Sequence, residues 1–369
     1  MPTRSAGGLY RLAAAVLRRI GCVEHEAHIV AEHLIRSNLA GHDSHGIGVL
    51  PGYLRMLRAG LFVPNQVLRP LLDFGALLQF DGGRGFGQRM AAEAVGHGIA
   101  RARETGACVV GLRNSAHLGR VGTYAELCAA AGMAFVAFVN VADHEPYQAP
   151  FGGRDARLGT NPFCAAVPGD DGPALMLDVA TTTIAFNKAR VAHEKHLPTP
   201  PDSIIDAEGR PTTDPTALVE RHEGALTSFG RHKGSGLAIL CEAMGAVLTG
   251  GQRADEAQRG GVLNSMLAVV IDTGRLADAG GFQGGFAALA SHVKGARPAA
   301  GFQEVLLPGE PERLSAAERS ANGIPLSEAG WLALHGAALE TGLSGAEIEA
   351  LLADSGGHVP ARAGTRKGA

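Results

Sequence analysis

Residues 77–112 read LLQFDGGRGFGQRMAAEAVGHGIARARETGACVVGL. The apolar run at 77–80 predicts a short strand, the segment 87–104 predicts a helix, and the β-branched run at 107–112 predicts a second strand. A helix at 122–131 and a strand at 134–139 are predicted to follow. Strands and helices that alternate at this spacing indicate an α/β layer.

Both ends of the chain differ from this middle part. Apolar residues at helical spacing predict helices at 9–20 and 24–39 and a third that Ser44 caps and Pro51 kinks. The last part of the chain predicts helices again, which suggests that the two ends pack together. We therefore expect a helical part at 1–72, an α/β domain at 73–311, and C-terminal helices at 312–369 with a loose tail from about 361. Other predicted elements are strands at 163–167, 174–179, 266–271 and 304–307, a helix at 233–248, and a proline-rich arm at 197–215.

Composition excludes several classes of protein. The 369 residues carry 33 basic and 36 acidic side chains, a formal net charge of −3, so there is no excess positive charge to bind a nucleic-acid backbone. No uncharged run is long enough for a membrane span. The five cysteines are far apart in the sequence without a CxxC pair, which favours reduced core thiols. We expect a cytoplasmic protein.

The glycine-rich loop at 82–87 lies between a predicted strand and a predicted helix, as a dinucleotide-binding loop does. Its spacing is GxGxG rather than GxGxxG, and the next strand ends at Arg113 without the acidic residue that binds ribose in a Rossmann fold. The pattern therefore favours a structural role for this loop, as a turn that joins the strand to the helix without binding a dinucleotide.

His42, Asp43, Ser44 and His45 form the densest polar cluster in the sequence. The HxxH spacing differs from that of a zinc-binding HExxH helix, and the chain has no GxSxG motif for a nucleophilic serine. An acid–base role is consistent with the pattern, because a histidine in the first turn of a helix capped by Ser44 would lie at the positive end of the dipole, which disfavours imidazolium. Simple helix capping explains Asp43 and Ser44 equally well.

A second polar loop, at 113–120, follows a predicted strand and precedes a predicted helix. In α/β layers ligands bind at this edge, and the helix start with Arg120 suits a pyrophosphate. His117 is a second candidate for proton transfer, although a structural helix cap remains open. Similar polar segments lie at 157–162, 177–183, 232–234 and 308–311.

The combined motifs resemble the malate/L-lactate dehydrogenase family of type 2, which is distinct from the Rossmann dehydrogenases. The matching segments are DSHG at 43–46, NSAHLG at 114–119, GTNP at 159–162, LDVAT at 177–181, HKG at 232–234 and PGE at 308–310. The resemblance covers residues from about 9 to 351. It implies hydride transfer between a nicotinamide cofactor and a 2-hydroxy or 2-oxo acid. It also implies a mixed-sheet, non-Rossmann α/β nicotinamide-binding domain, a helical domain built from both chain ends, and a homodimer with the active site near the subunit interface.

The resemblance also assigns residues. It implies that His45 and His117 are catalytic, with Ser44 as a relay partner of His45 and Lys188 as a further catalytic candidate. Asn187 departs from the Gly-Lys of many relatives. The residues implied to bind the cofactor are His45, Gly119, Arg120, Val121, Met176, Leu177, Asp178, Val179, Ala180, Thr181, His232, Lys233, Asn264, Pro308, Gly309 and Glu310.

Two departures from the family pattern bear on the substrate. Many relatives carry an arginine shortly after DSHG, whereas residues 47–50 here read IGVL, which favours an aromatic or aliphatic monocarboxylate over a dicarboxylate. Ser235 replaces a tyrosine that usually follows HKG. We expect NAD as cofactor, with NADP possible, and no metal. The alternatives are reduction of cyclic imine-2-carboxylates, a ureidoglycolate-type dehydrogenase and, outside this class, a metal-dependent hydrolase using His42, His45, His193 and His196.

Overall fold

The computed structural model describes residues 2–170, 172–276, 278–353 and 359, so the predicted loose tail from about 361 lies outside it. The described α-helices are α1 (Ala6–Arg19), α2 (Glu24–Leu39), α3 (Leu50–Arg58), α4 (Gly87–Thr105), α5 (Gly122–Ala130), α6 (Phe186–Glu194), α7 (Thr216–Val219), α8 (His232–Glu242), α9 (Ala279–Lys294), α10 (Glu310–Asn322), α11 (Glu328–Glu340) and α12 (Gly345–Ala353). Within this described part we find no helix whose length and apolar content would let it cross a bilayer.

The strands form one large sheet and two small ones. They are β1 (Thr3–Arg4), β2 (Arg69–Phe74), β3 (Leu77–Asp81), β4 (Ala107–Ala116), β5 (Met133–Ala142), β6 (Phe163–Gly169), β7 (Gly172–Val179), β8 (Ile204–Ile205), β9 (Pro211–Thr212), β10 (Ala225–Leu226), β11 (Leu263–Asp272) and β12 (Ile324–Pro325). The large sheet has the order β2-β3-β4-β11-β5-β6-β7. The proline-rich arm contributes β8 and β9 to the small sheet β10-β8-β9.

The predicted strand–helix–strand unit at 77–112 is confirmed. β3 and β4 are parallel, with Leu78 beside Val110, and α4 makes the crossover between them. α4 ends where Gly106 adopts a left-handed φ of 84°, a conformation that glycine adopts at little cost. The remaining neighbours in this sheet pair antiparallel, so the sheet is mixed.

Strand β11 lies at the centre of the sheet although it comes late in the sequence. It pairs antiparallel with β4 on one side and β5 on the other, which places Asn264 opposite both Ser115 and Val141. A register shift between Asn264 and Met266 on the β4 side shows a bulge at this end of the strand. The end of β11 therefore meets the polar loop that follows β4.

The helices of the two chain ends pack together. α1 contacts α12, and Thr3 of β1 pairs with Pro325 of β12. One apolar core joins buried residues from both ends, among them Leu9, Leu34 and Leu334, while a second core lies on the sheet. The helical part built from both chain ends is thus present beside the mixed-sheet layer.

Some predicted elements are wrong or shifted. Residues 304–307 do not form a strand, because this segment precedes α10 and its Leu307 N–H is bound by the Glu310 carboxylate at 2.7 Å. The helix predicted at 233–248 ends at Glu242 and continues as a π-helical turn, Ala243–Val247. The 16-residue helix α9 was not predicted, because its sequence is rich in glycine, which disfavours helix. Asp278 caps this helix by accepting the Gly281 N–H.

Candidate active site

The DSHG segment does not begin a regular helix. Asp43–His45 form a short 3-10 turn without a side-chain cap, so the prediction that Ser44 caps a helix here is wrong. The segment is held instead by Asn38, whose Oδ1 accepts the Ile47 N–H at 2.8 Å and whose Nδ2 donates to Asp43 at 2.7 Å. A Cβ at Gly46 would lie 2.3 Å from the Asn38 side chain, so glycine is required for this approach.

His45 and His117 are brought together by the fold. Their rings stack with 5.5 Å between centroids and 14° between planes. Ser44 Oγ lies 3.1 Å from Nδ1 of His45, within hydrogen-bond distance. Both histidines are partly buried. Two imidazoles in contact form a compact site for proton transfer.

The loop after β4 positions His117. Asn264 of β11 accepts the N–H of the next residue, Leu118, at 2.8 Å and donates to the carbonyl of Asn140 at 2.8 Å. Nδ1 of His117 lies 2.7 Å from the hydroxyl of Tyr53 on α3, which sequence reasoning missed. Asn264, predicted to bind cofactor, is thus used in this structure to support the histidine loop.

Both histidines are neutral at physiological pH. Burial is the largest cause in each case and lowers the pKa of His45 to about 4 and that of His117 to about 3. For His45 the negative charge of Asp178 opposes this shift, whereas His42 and Arg120 add to it. Charges on His45 and His144 further lower the pKa of His117. Burial, and not the helix dipole that the sequence suggested, is therefore the main cause of the lowered histidine pKa values.

An ionic cluster centred on the buried Arg120 interacts electrostatically with His45. The guanidinium of Arg120 bonds Glu126 at 2.6 Å and lies 3.9 Å from Asp178, which also accepts the Gly122 N–H at 2.7 Å. Burial lowers the pKa of Arg120, but the carboxylates of Glu126 and Asp178 outweigh it and the net shift is upward. The charge of Arg120 is thus balanced by protein carboxylates.

The backbone of the same loop packs on α2. The N–H of Arg120 donates to Nε2 of the buried His33 at 2.9 Å. Gly119 has a φ of 70°, and a Cβ there would lie 2.3 Å from the same nitrogen. Glycine at 119 is therefore required by His33, whatever its relation to a cofactor. Val121 is buried at the start of α5.

A third histidine near His117 was missed. His144 follows β5, as His117 follows β4, and its Nδ1 lies 2.6 Å from the carbonyl of Glu145. Asp143, with a left-handed φ of 70°, bonds Arg84 at 2.9 Å and fixes this turn. The ring of His144 stacks on Tyr147 at 4.8 Å between centroids. The sequence signal that could have identified His144 is its position as a polar residue just after a predicted core strand.

The remaining predicted cofactor residues gather in two places. In the first, β7 carries Met176–Val179, and the N–H of Met176 donates to the carbonyl of Pro308 at 3.0 Å. Gly309 packs over Met176, and Glu310 binds Lys294 at 2.7 Å. Ala180 follows β7 and is partly exposed.

The second place is the start of α8. The carbonyl of Thr181 accepts the Phe229 N–H at 3.1 Å, which ties the end of the β7 segment to this helix start. His232 and Lys233 are exposed in the first turn. Arg231 precedes them with a positive φ of 58°, a strained conformation for this residue.

The remaining catalytic and metal candidates lie on or just after α6. Lys188 and His196 are exposed and His193 is half-buried, and their helix does not carry either histidine of the stacked pair. Among the described residues no three side chains of the His, Cys, Asp or Glu type converge as a metal-binding group. His42 binds Glu312 instead, at 3.3 Å. The geometry therefore gives the hydrolase alternative no support.

Comparison with known proteins places this chain in a family. The model of the malate/L-lactate dehydrogenase family matches residues 5–335. The chain belongs to this family. Its members include hydroxycarboxylate and lactate dehydrogenases, which supports an oxidoreductase of the hydroxycarboxylate class, for which the family implies a nicotinamide cofactor.

Individual relatives agree with this assignment. Hydroxycarboxylate dehydrogenase B of Escherichia coli (strain K12) is 42% identical over 346 residues, which cover 93% of this chain and 95% of that protein. L-lactate dehydrogenase of Cupriavidus necator is 42% identical over 294 residues, 79% of this chain and 84% of that protein. The solved structure of sulfolactate dehydrogenase from Methanocaldococcus jannaschii, 30% identical, superposes with a TM-score of 0.85 and covers 95% of this chain and 99% of that one.

Proposed function

We propose that this chain transfers hydride between NAD(P)H and a 2-oxo monocarboxylic acid, reversibly. The observation that carries the proposal is the stacked pair His45–His117, in which both imidazoles are neutral. His117 follows the carboxyl end of β4, and His45 belongs to the DSHG turn. Dehydrogenation of an alcohol requires a base for the hydroxyl proton, and reduction requires the conjugate acid.

The residues present fit a dinucleotide. The start of α8 combines the positive end of the helix dipole with the side chains of Arg231, His232 and Lys233, a set of groups that suits a pyrophosphate. We propose that this turn, β7 and the Pro308–Glu310 turn hold the cofactor. When bound, the nicotinamide supplies or accepts the hydride. NAD is our first expectation, with NADP as the second cofactor to assay.

The protein's own contribution is proton transfer and positioning. In the oxidation direction, a neutral imidazole takes the proton of the substrate hydroxyl; in reduction, the charged ring returns it to the carbonyl oxygen. Substrate carboxylate beside the pair would raise the histidine pKa, because an opposite charge favours the protonated ring. Correct placement of two reactants lowers the barrier by about 7–11 kcal/mol, so positioning contributes more to the rate than proton transfer does.

The surroundings of the pair favour a monocarboxylate. Ile47 and Leu50 are buried where many relatives have an arginine nearby, and the charge of Arg120 is already balanced by Glu126 and Asp178. Among the described residues around the pair, a second substrate carboxylate would therefore find no unbalanced cation. We propose that Lys188, which is exposed and makes no ion pair among the described residues, meets the single carboxylate.

A homodimer is part of the proposal. α8 packs its Ala238 side on the sheet, whereas the outer side of α8 and the following π-turn expose Ile239, Leu240, Val247 and Leu248. The last two are 59% and 64% exposed. An exposed apolar surface of this kind marks a protein–protein contact. It begins at Ile239, about two helical turns along α8 from the proposed pyrophosphate site.

The decisive experiment is a panel of 2-oxo acids, mono- and dicarboxylate, assayed with NADH and with NADPH by the absorbance of the reduced nicotinamide. We expect turnover with aromatic or aliphatic monocarboxylates and little with oxaloacetate. A cyclic imine-2-carboxylate belongs in the same panel. If it is turned over faster than the 2-oxo acids, the proposed substrate becomes the cyclic imine instead. Absence of turnover with every compound and both cofactors would refute the proposal.

A further inference from the structure

A buried hydrogen-bond chain ends on His117. Gln88 Nε2 lies 2.6 Å from the hydroxyl of Tyr53, which lies 2.7 Å from Nδ1 of His117. Gln88 and Tyr53 are 1% and 4% exposed. The Tyr53 ring packs edge-on against Phe62 and Phe86, which holds its hydroxyl in place. Among the described residues, the hydrogen bond to His117 is made at Nδ1. The other ring nitrogen, Nε2, is therefore available to a ligand.

The donors and acceptors in this hydrogen-bond chain determine where each proton lies. Gln88 presents its amide nitrogen, which only donates, so the Tyr53 oxygen accepts that bond and its own proton is directed to Nδ1 of His117. Burial raises the pKa of Tyr53, so the phenol keeps its proton. The neutral ring of His117 then carries its proton on Nε2, which can donate a hydrogen bond to the carbonyl oxygen of a 2-oxo acid.

The same three side chains support a second arrangement. The Oε1 atom of Gln88 is buried and has no hydrogen-bond partner among the described residues. If the amide turns by 180°, Oε1 accepts the Tyr53 proton, and the Tyr53 oxygen accepts a proton from Nδ1 of His117. Nε2 is then free to accept the proton of a substrate hydroxyl, and the charged ring that results keeps every bond in the chain.

We propose that Tyr53 and Gln88 are positioning residues, which select the tautomer of the neutral His117 ring and so decide whether Nε2 donates a hydrogen bond to a bound 2-oxo acid or accepts the proton of a 2-hydroxy acid. The proposal rests on the function proposed above. A buried polar group without a partner is unfavourable, so a side chain that can both donate and accept is needed at position 88. Glutamine meets this need, whereas methionine or glutamate does not.

The first test is Tyr53→Phe, which removes the hydroxyl and keeps the ring. We expect kcat to fall about 10–100-fold with KM within about threefold, less than the 10²–10⁴-fold of an acid–base group itself. The matched control is Tyr10→Phe, because the hydroxyl of Tyr10 makes an equivalent bond to Nδ1 of His28 at 2.8 Å on α1 and α2. That variant should keep the wild-type kcat. Equal kinetics of both variants and the wild type would overturn the proposal.

Position 88 provides the second test. In Gln88→Glu the carboxylate can only accept, so it favours Nδ1–H and the charged ring, and the acid limb of kcat/KM for oxidation should move to higher pH. Gln88→Met should lower kcat without this shift. The other titratable groups near the pair are His42, His45, His144, Asp178 and Arg120, and all stay unchanged. An unshifted pH profile in Gln88→Glu contradicts the proposal even if Tyr53→Phe fails to fold.

A readout independent of turnover separates this proposal from the proposed function. Two-bond ¹H–¹⁵N correlation spectra of histidine-labelled protein report the tautomer of each ring, and His117→Asn identifies the signals of His117. We expect Nε2–H in the wild type and Nδ1–H in Gln88→Glu. If both proteins show the same tautomer, the selection by Gln88 is wrong, whether or not any 2-oxo acid is reduced. If the tautomer changes but the wild type reduces no 2-oxo acid, the proposed function is what fails.

Discussion

His45 and His117 lie in stacking contact, 5.5 Å between ring centroids, on segments that are far apart in the sequence. Two positive rings at this distance in a partly buried site repel each other, so the pair accepts one proton much more readily than two. This relationship makes the two residues a single acid–base unit.

The first prediction concerns removal of each ring. His117→Ala and His45→Ala should each lower kcat with the fold and the proposed dimer retained, since neither ring belongs to the apolar cores. Removal of the ring that exchanges the substrate proton should lower kcat about 10²–10⁴-fold, and removal of the other ring should lower it less. Steady-state kinetics and circular dichroism measure both effects. Wild-type turnover in either variant would remove that residue from the mechanism.

The second prediction concerns stability at acid pH. The folded pKa values of about 4 for His45 and about 3 for His117 lie below the ordinary value of 6.5, so in this window the unfolded chain binds more protons than the folded one. The stabilising contribution is complete above about pH 6.5 and is lost as pH falls toward 4 and then 3. Urea midpoints between pH 7 and pH 4 should fall less steeply in His117→Asn than in the wild type. Parallel slopes would contradict burial as the cause.

Much of the sheet was predictable because its signals are local. β3, α4 and β4 follow one another in the chain, so their alternation could be read directly. The position of β11 between β4 and β5 could not, because pairing partners such as Leu267 and Gly111 are far apart in sequence and any apolar strand would satisfy the local pattern. The exposed helix α9 was missed because its glycines disfavour helix.

The site was predictable in part. His45 and His117 were each identified as proton-transfer candidates, but their contact depends on how the N-terminal helices meet the sheet. Tyr53 lies in an ordinary amphipathic helix, and nothing in its sequence neighbours indicates that its hydroxyl reaches a histidine on another element. Polar groups that act through long-range contacts leave no periodic signal.

The third prediction concerns Asn264. Asn264→Ala would leave the Leu118 N–H and the Asn140 carbonyl without their buried partner, at about 1–3 kcal/mol each. We expect a loss of at least about 2 kcal/mol in the free energy of unfolding, together with a lower kcat, because the loop that carries His117 is released. Denaturant unfolding measures the first and kinetics the second. The control is Asn322→Ala, at an exposed position, which should change neither.

The fourth prediction concerns cofactor affinity. Lys233→Ala should weaken NAD(P)H binding about three- to fivefold, since an exposed ionic contact contributes at most about 1 kcal/mol. The difference from the wild type should shrink at high salt because the contact is screened. Fluorescence titration with NADH and NADPH measures it. Lys195→Ala, an exposed lysine on another element, serves as the control and should bind as the wild type does.

The fifth prediction concerns the apolar outer surface of α8 and the π-turn. Leu240→Asp combined with Val247→Asp should convert the proposed dimer to a monomer, because two charges that the proposed contact would bury could not be solvated there. Light scattering coupled to size-exclusion chromatography measures the mass. Leu332→Asp, at an exposed leucine on α11, should leave the dimer intact. A dimer that persists in the double variant would place the subunit contact elsewhere on the molecule.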